Sequence, residues 1–341
     1  MTPSIDYSAL FVPVTREEVT AFRRDARQRG GSASANTARV AGYVFIGVFI
    51  AVWAVIMYSM IGSAGQAAIP MFVVVAIFGV IVGAVWFLGR GRHWERTMRR
   101  TRFAAANGLV YVAASAAPSY PGVIFGIGSS RQATGGYRRA DASGLDISGY
   151  RYTTGSDKNK TTHNWGYVAL RLPRKLPHML LDARSNNGIF GASNLPISFS
   201  RNQVLSLEGD FDRYFTLYCP AEYERDALYV FTPDLMARLI DESAAFDVEI
   251  IDDWMFLYAH GGIDIDDPAI MQRVFTILDT VGEKAQRQTR RYADERIGDP
   301  GVDYVAPRGQ RLRRTPLWLG VGGVVVVAWV AFTIITQFVL R

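Results

Sequence analysis

Two uncharged apolar runs, Val40–Ile61 and Ala68–Leu88, stand back to back with only Gly62-Ser63-Ala64-Gly65-Gln66-Ala67 between them. Each is about 20 residues long, enough at 1.5 Å per residue to cross the roughly 30 Å hydrocarbon core of a bilayer. A third run, Leu317–Leu340, follows much later in the chain. These runs predict a membrane protein with three transmembrane α-helices, an N-terminal hairpin plus a C-terminal span. Residues 1–39 hold no apolar core near their start, and the first run is too long for a signal h-region. No cleavable signal is expected.

Arginines flank the runs. Arg90, Arg92, Arg96, Arg99, Arg100 and Arg102 follow the hairpin, opposed only by Glu95, and Arg308, Arg311, Arg313 and Arg314 precede the third run. The loop inside the hairpin carries no charge. The positive-inside bias then puts the N-terminus and main domain in the cytoplasm of a multi-pass cell-membrane protein, with the C-terminus outside. The ten arginines are placed against anionic lipid of the inner leaflet. This use of arginine explains the net charge of +6 and pI of 9.4 without nucleic acid, for which no recognition motif is present.

Inside the hairpin, Gly47 and Ala51 share small-xxx-small spacing with Gly79 and Gly83, at matching depths, so close helix packing is expected there. No ionisable residue interrupts any run. Proton-coupled carriers and voltage sensors usually need one, so the runs read as anchors.

The remaining organisation is 1–39, a basic segment with a short helix; 40–89, the hairpin; 90–315, a cytoplasmic α+β domain; and 316–341, the C-terminal span. Thr15-Arg16-Glu17-Glu18 matches a capping box and predicts a helix ending near Arg29. Strands are predicted at Leu109–Ala113, Val123–Phe125, Leu145–Ser148, Tyr167–Leu172, His178–Asp182, Gln203–Leu207 and Phe211–Tyr218, with an exposed loop over Thr153–Asn164. Thr232-Pro233-Asp234 starts a helix. Phe246–Ile250 and Trp254–Tyr258 read as two strands around an Asp252-Asp253 turn, and a long helix runs from Asp267 to about Arg296. The domain is therefore α+β with one mixed or antiparallel sheet.

Four segments, Trp165-Gly166-Tyr167-Val168, Leu205-Ser206-Leu207-Glu208-Gly209-Asp210-Phe211, Phe231-Thr232-Pro233-Asp234-Leu235-Met236 and Tyr292-Ala293-Asp294-Glu295-Arg296, resemble uncharacterised actinobacterial membrane proteins. Their layout is similar to that of domain-of-unknown-function family 3137, a transmembrane pair followed by an α+β cytoplasmic region. The extra C-terminal span departs from it. The resemblance implies membrane attachment and no catalytic residue.

Motifs for chemistry are sparse. His93, His163, His178 and His260 lack metal-ligand spacing and read as surface or loop residues. Cys219 is the sole cysteine, so no intrachain disulfide can form, and it reads as an inert, partly buried thiol. Gly122-xxx-Gly126-x-Gly128, beside Arg131, could present N–H groups to phosphate but is neither a P-loop nor a Rossmann fingerprint. Asp264-Ile265-Asp266-Asp267 opens like a calcium loop, yet Pro268 and Ala269 break the pattern and helix capping explains it better. Glu208, Asp210 and Asp212 are the weak catalytic candidates, as paired carboxylates for acid–base work or metal. No cofactor or metal is expected. The predicted function is a membrane-anchored cytoplasmic binding or scaffold protein, with a protein partner or a second copy as candidates. The alternatives are a hydrolase or transferase using the acidic cluster, or a channel or transporter subunit.

Overall fold

The computed structural model describes residues 5–28, 79, 93–141, 143–187, 193–207, 209–299 and 301–315. It divides into two compact units, Ser8–Arg102 and Met1–Tyr7 with Phe103–Arg341.

In the first unit, the predicted capping box forms. Thr15 N donates to Glu18 Oε2 at 2.8 Å, Glu18 N donates to Thr15 Oγ1 at 3.3 Å, and the helix runs Arg16–Gln28. Residues 93–102 are also helical. Phe22 packs edge-on against Trp94, and Arg102 pairs with Glu18 at 2.8 Å, holding that carboxyl down at about 2. Arg99 pairs with Glu95 and donates to the Leu10 carbonyl. Arg99 and Arg102, two of the arginines after the hairpin, thus have partners within their own unit.

The second unit is built on an eight-stranded sheet in which every pairing is antiparallel. Its strands are β1 (Val110–Val112), β2 (Ser115–Ala116), β3 (Ser129–Arg138), β4 (Asp146–Thr154), β5 (Thr161–Ala183), β6 (Val204–Leu205), β7 (Phe215–Tyr218) and β8 (Asp247–His260). The order is β1-β3-β4-β5-β7-β6, with β2 on β3 and β8 on β5.

β5 organises the unit. It is one strand of 23 residues, with Pro173 and Pro177 inside it, where the sequence predicts two, Tyr167–Leu172 and His178–Asp182. Proline removes a ladder donor. The strand absorbs both at register shifts between Arg171 and Leu176 and between Leu176 and Met179. β8 follows the bend. It too is continuous, and Asp252 adopts φ +54° opposite Leu176 instead of turning the chain. Arg311 holds Asp252 there with two bonds, at 2.8 and 2.9 Å.

Both faces of β5 are buried, so its side chains do not alternate between core and water. On one face, Trp165, Tyr167, Ala169 and Leu180, with Ile251, Phe256 and Tyr258 of β8, pack under Val123, Ile124, Phe125, Leu195, Phe199 and Leu312. Burying a ring such as Phe125 contributes about 2 kcal/mol. Val123–Phe125, predicted as a strand, is a run of turns laid over the sheet. Helices Glu224–Val230 and Glu283–Thr289 contact β5; the latter is joined to Pro268–Ile277 by a π-turn at Leu278–Gly282, and Pro233–Ser243 packs on that pair. Asp267 caps Pro268–Ile277, accepting from Ala269 N at 2.8 Å, as predicted. The helix stops at Thr289 and not at Arg296.

The expectation of three transmembrane helices, and with it the multi-pass cell-membrane placement, is corrected. Among the described residues no helix is long and apolar enough to cross a membrane. The continuous helical stretch Pro268 to Thr289 carries Arg273, Asp279, Glu283, Lys284 and Arg287, and its buried side is apolar. Runs Val40–Ile61, Ala68–Leu88 and Leu317–Leu340 lie outside the described residues, except for Gly79. The α+β reading of the domain agrees with the observed sheet and few helices.

Candidate functional site

The unit buries several polar groups, most of them on the loop-covered face of the sheet. Glu249 of β8 is fully buried and saturated. Its Oε1 lies 2.8 Å from His178 Nε2, and its Oε2 accepts from Tyr258 Oη at 2.6 Å and Val123 N at 2.8 Å. Leu312 N donates to His178 Nδ1 at 3.1 Å, so the ring hydrogen sits on Nε2 and points at Glu249. This network joins β5, β8, the Val123 turn and the strap around Leu312. Asp146 of β4 is equally well provided for, accepting from Arg138, Tyr120, Tyr167 and Ser148. Asp294 accepts from Tyr223, Ala306 N and Arg296.

Asp182 and Asp247 differ from these. The β5–β8 register sets Leu181 against Val248, which places Asp182 of β5 opposite Asp247 of β8 on the same face. They are 4% and 0% exposed. Asp247 Oδ1 accepts from Ala183 N at 2.9 Å, but its Oδ2 has no hydrogen-bond partner among the described residues, and neither has Asp182 Oδ1. Neither carboxylate has an Arg or Lys at ion-pair distance among the described residues, whereas Asp146 has Arg138 and Asp294 has Arg296. Burial pushes the Asp182 carboxyl up against the opposing pull of Ser193, Asn187 and Arg184. Burial, with the charge of Asp182, raises Asp247 to about 7. Buried carboxylates with an empty acceptor are rare in folded proteins, and they call for a functional explanation.

Asp182 faces a cavity of about 450 Å³. Leu180, Leu195, Ile197 and Phe199 supply its apolar wall, and Ser193, Ser198, Ser200, Tyr218 and Arg201 its polar groups. The Tyr218 phenol is pushed up by burial and by Asp182, and pulled down by Arg201 and Arg184. Of the two charged residues that line it, Arg201 is exposed and Asp182 is buried, with Asp247 buried beside Asp182 on the neighbouring strand. An apolar pocket with a few convergent polar groups is the form small-ligand sites take.

No family model matches the chain. No curated protein matches it either. Among solved structures, it is similar to the crystal structure of the mycobacterial trehalose monomycolate transport factor A, TtfA. The identity is 13% and the TM-score 0.37, covering 56% of this chain and 92% of that one. At that score the likeness carries no argument.

The residues singled out from sequence are distributed elsewhere. Glu208 lies outside the described residues. Asp210 is exposed, and Asp212 closes its own turn by accepting from Ser206 Oγ and from Leu207 N. Among the described residues no cluster of three His, Cys, Asp or Glu could hold a metal. Gly122 is pressed against the Tyr258 hydroxyl, and Arg131 donates to the Phe125 carbonyl, so the glycine loop is packing. His178 is buried, against the surface role expected for it. Cys219 is buried.

Arg90, Arg92, Gly47, Ala51 and Gly83 lie outside the described residues. Gly79 is helical, and an added Cβ there would meet nothing within 4 Å. Arg96 is exposed and Arg100 half-buried on the 93–102 helix. Arg308 pairs with Glu222, Arg311 with Asp252, and the Arg313 backbone with Gln203, while Arg314 forms a bridge to Phe199.

Sequence reasoning passed over Asp182 and Asp247. The one signal for Asp182 is its place at the end of the apolar run His178-Met179-Leu180-Leu181. For Asp247 there is none, because in Phe246-Asp247-Val248-Glu249-Ile250 the acids fall on what alternation marks as the solvent face.

Proposed function

We propose that the sheet domain is a binding module whose ligand occupies the cavity in front of Asp182. The observation that carries this is a buried carboxylate oxygen of Asp182 without a hydrogen-bond partner among the described residues, on a side chain that lines a cavity with an apolar wall. A bound molecule that donates a hydrogen bond to Asp182 Oδ1 and covers Leu195 and Phe199 satisfies both. The chemistry favours binding over turnover. The His178–Glu249–Tyr258 array, which has the residue types of an acid–base relay, spends every bond on holding four segments together.

The test is a fragment library of mixed charge, screened against the full chain by ligand-observed NMR, with Leu195→Trp as a cavity-filling variant. Fragments that bind the wild type and lose binding in Leu195→Trp, with the unfolding midpoint retained, are expected. Fragments that bind both proteins equally, or a library with no binder of any charge, would reject the cavity as the binding site.

A further inference from the structure

The charge balance around Asp182 says what kind of molecule the cavity takes. Of the five buried carboxylates described above, Asp146 and Asp294 each have an arginine, Arg138 and Arg296, and Glu249 has its acceptors filled by three donors, the neutral His178 ring among them. Asp182 and Asp247 sit on paired positions of neighbouring strands, with no Arg or Lys at ion-pair distance among the described residues. Two acids directly opposite each other repel when both are ionised. The missing positive charge is one the cavity can receive, because Asp182 lines it and Asp182 Oδ1 is both buried and unpartnered. The donor set does not suit a metal ion, which needs more oxygen ligands than one carboxylate pair beside aliphatic walls provides. An organic cation needs only the carboxylates, and its hydrocarbon part fits Leu180, Leu195, Ile197 and Phe199.

We propose that the occupant of the Asp182 cavity is an organic ammonium carrying an apolar group, its charge neutralised by the Asp182–Asp247 pair. This rests on the reading of the cavity as the binding site. The other groups facing the pair are Arg184 on the turn that follows β5, Asn186 and Asn187 on the same turn, Ser193, and Tyr218 on β7. Arg184 is the one cation among them. It opposes a second positive charge only in part, since burial still outweighs it at Asp182. Entry of an ammonium displaces the proton that the pair holds near neutral pH. Binding therefore releases protons and strengthens as pH rises from 6 to 8.

Calorimetry of the full chain with 2-phenylethylammonium and its neutral isostere 2-phenylethanol tests this. The ammonium is expected to bind at least tenfold more tightly at pH 7.5, with proton release visible as a dependence on buffer ionisation enthalpy. Asp182→Asn, and independently Asp247→Asn, should each reduce that preference several-fold. Equal binding of ammonium and alcohol, unaltered in either variant, overturns the ligand class while leaving the cavity as a binding site. Absence of binding by both probes, when other fragments compete for the cavity in the screen above, also overturns the class alone. If the fragment screen fails too, the binding reading itself falls.

Discussion

His178 Nε2 and Glu249 Oε1 lie 2.8 Å apart at the centre of the sheet, with side chains 6% and 0% exposed, and the pair ties the strap at Leu312 to β5 and β8. Glu249 faces three donors, so removing His178 leaves a buried carboxylate short of one. His178→Ala is expected to destabilise the domain by about 2–3 kcal/mol in urea unfolding, as for loss of a hydrogen bond to a buried charged group. It should also speed hydrogen exchange at the Leu312 amide, which loses its acceptor.

Tyr258 serves the same carboxylate from the side, with its hydroxyl 2.6 Å from Glu249 Oε2. Tyr258→Phe keeps the ring in its stack on Phe256 and deletes only the bond. The expected loss is about 1.5–3 kcal/mol, as for a hydrogen bond to a charged group. A loss under about 0.5 kcal/mol would mean that Glu249 is not held by this phenol.

Gly122 and Gly126 lie in the same loop and make a matched pair of tests. A Cβ at Gly122 would meet the Tyr258 hydroxyl at 2.1 Å and Glu249 Oε2 at 3.1 Å, whereas one at Gly126 meets nothing within 4 Å. Gly122→Ala should cost about 1–3 kcal/mol by overpacking. Gly126→Ala should stay within about 0.5 kcal/mol of wild type. Urea midpoints of the two variants compare them directly.

Asp247 makes stability depend on pH with a definite sign. Its carboxyl is raised from 3.8 to about 7 in the folded state, so between those values the native chain holds a proton that the unfolded chain has lost. That contribution is complete below the unfolded value and gone above about pH 7, falling by at most about 1.4 kcal/mol per unit. Unfolding free energies measured from pH 4.5 to 8 should decline less steeply in Asp247→Asn than in wild type.

Cys219 is buried, and its thiol is pushed up to about 12 by burial, reinforced by Glu224 and Asp226. With so little thiolate at neutral pH, the native protein should resist a disulfide reagent such as Ellman's for hours. One thiol should react promptly after denaturation.

Local signals were readable where they act locally. The capping box at Thr15–Glu18, the cap at Asp267 and the helix start at Pro233 all follow from neighbours within four residues, whereas of the strand expected over Phe211–Tyr218 only Phe215–Tyr218 forms, Phe211–Arg213 being a 3-10 turn. Capping is a matter of backbone groups one turn away. Even here context intervened: Thr232 occupies its N-cap position, yet its hydroxyl makes no capping bond. β3 was missed because Ser129-Ser130-Arg131-Gln132-Ala133-Thr134-Gly135-Gly136 has no alternation to read. Gly136 is there because a Cβ would strike the Ile147 carbonyl of β4 at 2.0 Å.

The apolar hairpin that dominates the sequence predicted transmembrane helices, and the described helices are too short or too charged to serve as such. For the α+β unit, the chain by itself determined where helices begin and that the sheet is antiparallel or mixed. Only the tertiary structure decided that β5 and β8 run unbroken past Pro173, Pro177 and Asp252, and that the face bearing Asp182, Asp247 and Glu249 is covered. The physical reason is that burial on a strand is set by what lies over it. Here that cover comes from Val123, Phe199 and Leu312, each brought in from a different part of the chain, so no pattern within β5 or β8 announces it. Pairing Asp182 with Asp247 required a register between strands 64 residues apart, and that register is what sets the candidate site.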